Sequence, residues 1–386
     1  MGKMRQLREG EFEQSVELSQ FAFQYTMTPD ALDRARRSFR PENVWAVFDG
    51  DRIAAKLTIL PYRAFLAGQS VPMGGVAGVA TWPQYRRQGL VRGLLGHSLE
   101  VMRAAGQSVS FLYPFKVSFY RQFGWEVASH KLRYSIGRED LPRPYTTPGE
   151  WEPSGPADLE RLEGVYRSFA RRYQGMLDRD AARWRDNVLL PARRVLLHQE
   201  GGTPDAYLVY EVRERELRLH ETAWTSEAAR RAVWELVAQH DSMLETVTWE
   251  APADDRLPFL LANPGFKQEV RPSFMARVVD LAALVEGYRF QPGVAGGVVM
   301  AVTDAHAAWN DGTWLLQVDE DGHGSIGRTA AAPGLSLGIG TLSALVMGYL
   351  RPFEALQFGQ ASGDAAAAAW LERVLGSRTS HLFDFF

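Results

Sequence analysis

The sequence predicts a mixed α/β protein of two or three domains, and three observations carry that prediction. Between Gly74 and Ser129 the chain reads as strand, loop, helix, strand, short helix, strand. Residues 158 to 284 repeat that order, with a helix around Leu159 to Arg172, a hairpin from Ala206 to His220, a helix from Glu227 to His240 and a strand from Glu245 to Glu250. The last part changes again: Gly297 to Val302, Thr313 to Val318 and Gly324 to Arg328 read as strands, Leu342 to Leu350 and Ala365 to Leu375 as helices.

Composition narrows the function. With 386 residues, 46% of them hydrophobic, the chain can bury a sizeable core. The formal charge of −3 comes without a basic block, which argues against a nucleic-acid partner. There is no cysteine, so disulfides and thiolate chemistry are excluded. The scattered histidines show no paired ligand spacing, so no metal is expected. The start, MGKMRQLREGEFEQ, is too charged for a signal peptide, and no run of 18 apolar residues occurs; a cytoplasmic protein without membrane contact is expected.

Taken in order, Phe12, Val16, Phe21 and Phe23 recur at helical spacing, and a second helix follows Pro29. Val44 to Phe48, Asp49-Gly50 and Ile53 to Tyr62 form a hairpin signal; a further strand, Ala64 to Leu66, turns at Ala67-Gly68. Val76, Val79 and Ala80 then lead past Pro83 into Arg86-Arg87-Gln88-Gly89 and a helix with apolar Leu90, Val91, Leu94, Leu95, Leu99 and Met102. A helix N-terminus presents unpaired amides and partial positive charge, so with Arg86 and Arg87 beside it a diphosphate would be held strongly. Gly89 lets the backbone approach closely. Beyond the next strand, Phe119-Tyr120-Arg121-Gln122-Phe123-Gly124-Trp125 places a phenol on a short helix. Prolines at 142, 144, 148, 153 and 156 mark a linker.

Together the Arg86 to Gly89 loop and the Tyr120 element resemble the acetyl-CoA site of the GNAT N-acetyltransferase superfamily. Val91 stands where the signature Arg/Gln-x-x-Gly-x-Gly/Ala ends on a small residue, a departure similar to the Eis-type (enhanced intracellular survival) branch. The resemblance extends over the chain. Residues 1–136 would be the acetyl-CoA-binding GNAT domain, 137–284 a second, degenerate GNAT-like domain, and 285–386 a sterol-carrier-like α+β domain, carried by Asp304, Ala308-Trp309-Asn310-Asp311-Gly312 and Leu335-Ser336-Leu337-Gly338.

What the resemblance implies is an acetyltransferase acting on primary amines, of aminoglycoside or lysine type, in a homo-hexamer. Val79, Ala80 and Thr81 would pair with pantetheine, and Arg87, Gln88, Gly89, Leu90, Val91 and Arg92 would surround the diphosphate, with Arg86 a surface charge. Phe115 and Lys116 would line the acetyl end or reach a phosphate. Tyr120, a phenol of pKa about 10, would protonate the leaving thiolate. The base would be the terminal carboxylate of Phe386, in the tail Phe383-Asp384-Phe385-Phe386. That carboxylate faces an obstacle, since taking a proton from an alkylammonium is roughly 9 kcal/mol uphill. Desolvation by the three phenylalanines is expected to lower the gap. Phe21, Phe23, Tyr25 and Trp45 would wall the acceptor pocket. Two other readings compete: a non-catalytic CoA- and lipid-binding protein using the third domain, and a hydrolase on Ser336, whose Gly334 to Gly338 pattern is followed by Asp364 and His381 but by too little chain for that fold.

Overall fold

The computed structural model describes residues 2–142 and 147–386; Pro144 lies outside the described residues. The chain opens with β1 (Lys3–Gln6), α1 (Phe12–Phe23) and α2 (Pro29–Ser38). Gln24, in a left-handed conformation, stops α1, and the Thr28 hydroxyl accepts from Ala31 N to start α2 one residue before Pro29. β2 (Val44–Asp49), β3 (Arg52–Leu66) and β4 (Gln69–Thr81) form a meander whose turns use Gly50 at φ 58° and Ala67-Gly68 at φ 51° and 76°. The two strands expected on either side of Arg63 are one continuous β3. Pro61 is tolerated there because β2 pairs only as far as Thr58, so no ladder bond is asked of its nitrogen on that side.

α3 (Leu90–Ala104), β5 (Val109–Leu112), α4 (Val117–Arg121) and β6 (Glu126–Val127) follow, with Leu94, Leu95, Leu99 and Met102 buried against the sheet. The second unit comprises β7 (His130–Gly137), β8 (Glu150–Pro153), α5 (Leu159–Ala170), β9 (Tyr173–Gln174), α6 (Ala181–Arg183), β10 (Arg194–Glu200), β11 (Thr203–Arg213), β12 (Glu216–Trp224), α7 (Glu227–Ala238), β13 (Thr246–Pro252) and β14 (Lys267–Pro272). Then come β15 (Met275–Val278), α8 (Leu281–Gly287), β16 (Gly296–Thr303), β17 (Gly312–Val318), β18 (Gly324–Arg328), β19 (Leu335–Gly338), α9 (Ile339–Val346), α10 (Pro352–Gln357), β20 (Ala361–Gly363), α11 (Ala365–Leu375) and β21 (Thr379–Ser380).

Among the described residues the first sheet has the order β1-β2-β3-β4-β5-β15-β6 and the second β14-β7-β13-β12-β11-β10-β8. Each is antiparallel except for one central parallel pair, β4 with β5 and β12 with β13. The units exchange strands. β7, which runs across the boundary expected at residue 136, lies in the second sheet, and β15, from within the stretch expected to be the second domain, returns to fill the first between β5 and β6. Hydrophobic cores explain the exchange: Met275 and Ala276 on β15 are buried in the first sheet, Tyr134 and Ile136 on β7 in the second.

The third sheet, β18-β17-β16-β19-β20, is covered by α9 and α11. It is tied to the first by Arg277 on β15, fully buried and paired with Asp304 at 2.8 Å. Its apolar interior, among Leu284, Tyr288, Met300, Leu316, Val346 and Leu371, encloses only about 30 Å³. No helix among the described residues is long and apolar enough to cross a membrane.

Candidate active site

The parallel pairing of β4 with β5 ends at Val76 and Leu112. Gly78, at φ 57°, turns β4 away beside a register shift in its pairing with β3, so Val79 to Thr81 run on without β5 alongside. The gap opens into a cavity of about 780 Å³, in the range of small-molecule sites. Val79, Ala80 and Thr81 form its strand wall; Arg86, Arg87, Gly89, Leu90, Val91 and Arg92 close one end. Phe115, Phe119, Gln122 and Phe123 form the side toward α4, and Ala22 and Phe23 of α1 face them.

The basic end is built for an anion. The first amide of α3 with a helical acceptor is that of Gly93, which donates to Gly89 O at 3.0 Å, and no side chain caps the amides before it. Gly89 (φ 79°) and Arg87 (φ 63°) hold the loop in left-handed backbone that directs these amides outward. Among the described residues Arg86, Arg87 and Arg92 have no ion-pair partner. The hydroxyl of Thr81 is buried in the strand wall without a hydrogen-bond partner. Free amides, unpaired guanidiniums and an orphaned hydroxyl fit a long phosphorylated ligand such as acetyl-CoA. Of the sequence-selected residues for that ligand, Gln88 and Lys116 stand apart: neither lines the cavity, and the Gln88 amide donates to Gln84 O at 3.1 Å.

Tyr120 is 2% exposed and packs in one cluster with Val76 and Leu112, the last rungs before the gap. The Phe115 and Phe119 rings meet it at 5.3 and 5.2 Å. Burial pushes its phenol up, so it is protonated at neutral pH.

The C-terminal tail crosses from the second unit to the first. β21 pairs with β9, Phe383 stacks on Phe169 at 5.8 Å, and the Phe386 ring lies over Gly75, where an added Cβ would meet Phe386 Cε2 at 2.8 Å. Tyr62 and Tyr113 flank that ring at 5.3 and 5.9 Å. The Tyr113 hydroxyl donates to Asp384 O at 2.6 Å. Arg179, fully buried, donates to the carboxylates of Asp384 and Glu221, and Arg183 donates to Asp384 Oδ1 at 2.8 Å and Phe385 O at 2.7 Å. Burial alone would raise the Asp384 carboxyl, but the two guanidiniums outweigh it and hold it below the ordinary value. The expected shielding of the terminus by three phenylalanines is corrected here: Phe383 packs into the second unit, and Phe385, though it meets Tyr113 at 4.7 Å, is 71% exposed, leaving Phe386 as the one that lies over the first sheet.

Of the aromatics expected to wall an acceptor pocket, Phe23 lines the cavity and Phe21 packs on Trp82 at 4.8 Å. Tyr25 is exposed, and Trp45 contacts His97 of α3 at 4.2 Å rather than the cavity. Ser336 pairs with Ala301 and Ser362 as an ordinary strand residue, and His381 is fully buried against Tyr173 and Phe383. Sequence reading missed Tyr62, Tyr113, Arg179, Arg183 and Glu221. One signal was present: Asp384, a lone carboxylate among apolar residues, required a buried cation somewhere.

Two stretches match profiles described as an acetyltransferase (GNAT) domain, residues 3–128 and 175–278, and residues 281–383 match a sterol carrier protein domain. An uncharacterized N-acetyltransferase of Streptomyces avermitilis is 26% identical, with 87% of each chain covered. N-acetyltransferase Eis of Mycobacterium tuberculosis is 24% identical over 78% of this chain and 77% of its own. The fold matches a probable N-acyltransferase of Enterococcus faecalis at TM-score 0.94 and 23% identity, and Eis1 of Mycobacterium abscessus at 0.84 and 20%, each covering both chains fully. Two GNAT domains followed by a sterol carrier protein domain, in a chain similar to the Eis-type N-acetyltransferases, make this protein an acetyltransferase whose co-substrate is acetyl-CoA.

Proposed function

We propose that the chain transfers the acetyl group of acetyl-CoA directly to primary amines of lysine or aminoglycoside type, with the Phe386 carboxylate as base and Tyr120 as acid. The observation that supports the reading is the Phe386 ring over Gly75, one rung from where β4 and β5 part, although Phe386 is not itself among the residues that line the cavity. In the step itself the amine nitrogen bonds to the acetyl carbon and the carbon–sulfur bond breaks. The ammonium proton passes to the terminal carboxylate, and the Tyr120 phenol gives its proton to the sulfur.

In this reading Val79, Ala80 and Thr81 take the pantetheine arm, while Arg87, Gly89, Leu90, Val91 and Arg92 take the diphosphate; Phe115 borders the acetyl end. A lipid carrier is disfavoured, since about 30 Å³ in the third domain holds roughly one water. A cytoplasmic hexamer belongs to the same reading, and light scattering in solution tests the assembly.

The deciding experiment measures acetyl-CoA-dependent thiol release with a polyamine aminoglycoside and a lysine peptide. It compares the native C-terminus with a chain extended by Gly-Ser after Phe386. Loss of about 100-fold in kcat with acetyl-CoA affinity retained is expected. Equal rates would place the base elsewhere.

A further inference from the structure

The second unit has its own parting of parallel strands. β12 and β13 pair from Glu216 and Thr246 to Leu219 and Trp249, and beyond them Glu221 and Glu250 face a cavity of about 390 Å³. In the first unit the corresponding opening leads to the cofactor cavity. Here its wall is the chain's own tail, Phe383, Asp384 and Phe385.

Two arginines fasten the tail there. Arg179 is buried between Asp384 and Glu221, and Glu221 also accepts from the Tyr207 hydroxyl, so this inner group is fixed on every side. Arg183 is the outer clamp, and its five donors are distributed unusually. Nε donates to Asp384 Oδ1, Nη2 to the Phe385 carbonyl at 2.7 Å, and Nη1 to the Tyr62 hydroxyl at 3.1 Å. The Phe385 carbonyl belongs to the last peptide of the chain, whose other half is the Phe386 nitrogen. Tyr62, on β3, in turn packs against the Phe386 ring at 5.3 Å.

We propose that Arg183 is a positioning residue for acetyl transfer: it grips the last peptide and Tyr62 together, orienting the Phe386 carboxylate toward the opening between β4 and β5. The second GNAT unit, on this view, presents the base where the first presents the cofactor. The inference rests on the terminal carboxylate being the base. A merely structural ion pair would need only the Nε contact to Asp384. The contacts to Phe385 and Tyr62 bracket Phe386 on its two sides, one on its own strand of tail and one on the first sheet. Side-chain orientation matters because small misplacements of a reacting group cost rate out of proportion to their cost in stability.

The test is a double-mutant cycle between Arg183→Gln and the Gly-Ser extension after Phe386, with kcat, acetyl-CoA KM and melting temperature read for all four proteins. In the native-length chain Arg183→Gln is expected to lower kcat by about 10- to 100-fold with acetyl-CoA KM within about twofold. In the extended chain, whose terminal carboxylate is already displaced, the same substitution is expected to cost less than about twofold more. Arg183→Lys, which keeps the charge but not the fork, is expected to recover little of the rate. Tyr62→Phe removes one grip without touching the ion pairs and provides a milder second variant, with a loss of a few-fold and the same non-additivity. Equal factors in native and extended chains overturn the inference while leaving the terminal base standing. An extension that leaves kcat unchanged removes the base itself, and the inference with it.

Discussion

The two GNAT units share a strand order, a central parallel pair and a helix packed on it, yet among the described residues that helix begins with uncapped amides beside unpaired arginines in the first unit alone. The difference lies in a few residues. α3 is reached through Trp82 to Gly89, carrying Arg86 and Arg87, and its leading amides have no side-chain acceptor. α7 is reached through Thr225 and Ser226 alone; the Ser226 hydroxyl accepts from Ala229 N at 3.1 Å, and Glu227 puts a carboxylate in the first turn. Capping satisfies the amides that would otherwise bind phosphate, and the acidic residue repels it. A cofactor site can therefore be closed at a helix N-terminus without any change in the sheet that carries it.

The comparison can be broken at several points, beginning with the largest effect. Tyr120→Phe removes the proposed acid from the first unit and is expected to lower kcat by about 100-fold or more while acetyl-CoA KM and the melting temperature stay nearly constant. An unchanged kcat would assign thiolate protonation to another group. Arg87→Glu imitates Glu227 at the phosphate loop and should weaken acetyl-CoA by about 30-fold at low salt, with a smaller loss in high salt, in a direct binding titration. If affinity is indifferent to that charge, the basic end of the cavity does not hold the diphosphate.

Two buried cations contrast in the same way. In the second, Arg230 pairs with Asp255 at 3.1 Å; in the first, Lys56 is 4% exposed and meets only the Ser15 carbonyl and hydroxyl, at 2.5 and 2.6 Å. Burial pushes the Lys56 ammonium down to about 7 from the ordinary 10.5. Since the folded value is depressed, the unfolded chain binds more protons between about pH 7 and 10.5, and Lys56 costs stability that is regained only as pH rises through that window. Lys56→Met is expected to stabilise the protein by about 2 kcal/mol at pH 7, with the gain shrinking toward pH 10. A gain that does not vary with pH would mean that Lys56 stays charged. Smallest of all, Ser226→Ala should cost about 1 kcal/mol in denaturant unfolding and leave acetyl-CoA affinity untouched. An effect on affinity would contradict the separation of roles.

Local chemistry was legible in the sequence where it is written in neighbours. Asp49-Gly50 gave its turn away, and Arg86 to Gly89 marked the loop because a helix N-terminus needs only the residues beside it. The strand exchange was not legible, because β7 and β15 carry the same apolar alternation whichever sheet receives them. Nor was the clamp. Arg183 and Phe385 stand 202 positions apart, and no local pattern distinguishes Arg183 from neighbouring Arg185, which has no partner in the tail. The β3 break at Arg63 was misread because the strand's continuity there rests on the pairing of Arg63 with Pro72 of β4, which only the sheet decides.

The exchange of β7 and β15 has a consequence for synthesis. The first sheet lacks its sixth strand until residue 278 has been made, some 150 residues after β6. At ribosomal rates of about 5–20 residues per second, that leaves the edge of β5 uncovered for roughly 8 to 30 seconds on each nascent chain. During that interval an open strand edge sits beside apolar Phe111 and Leu112, inviting pairing with another copy. A fragment ending at residue 128 keeps that edge permanently and should aggregate, whereas the first unit becomes soluble only when the chain reaches β15.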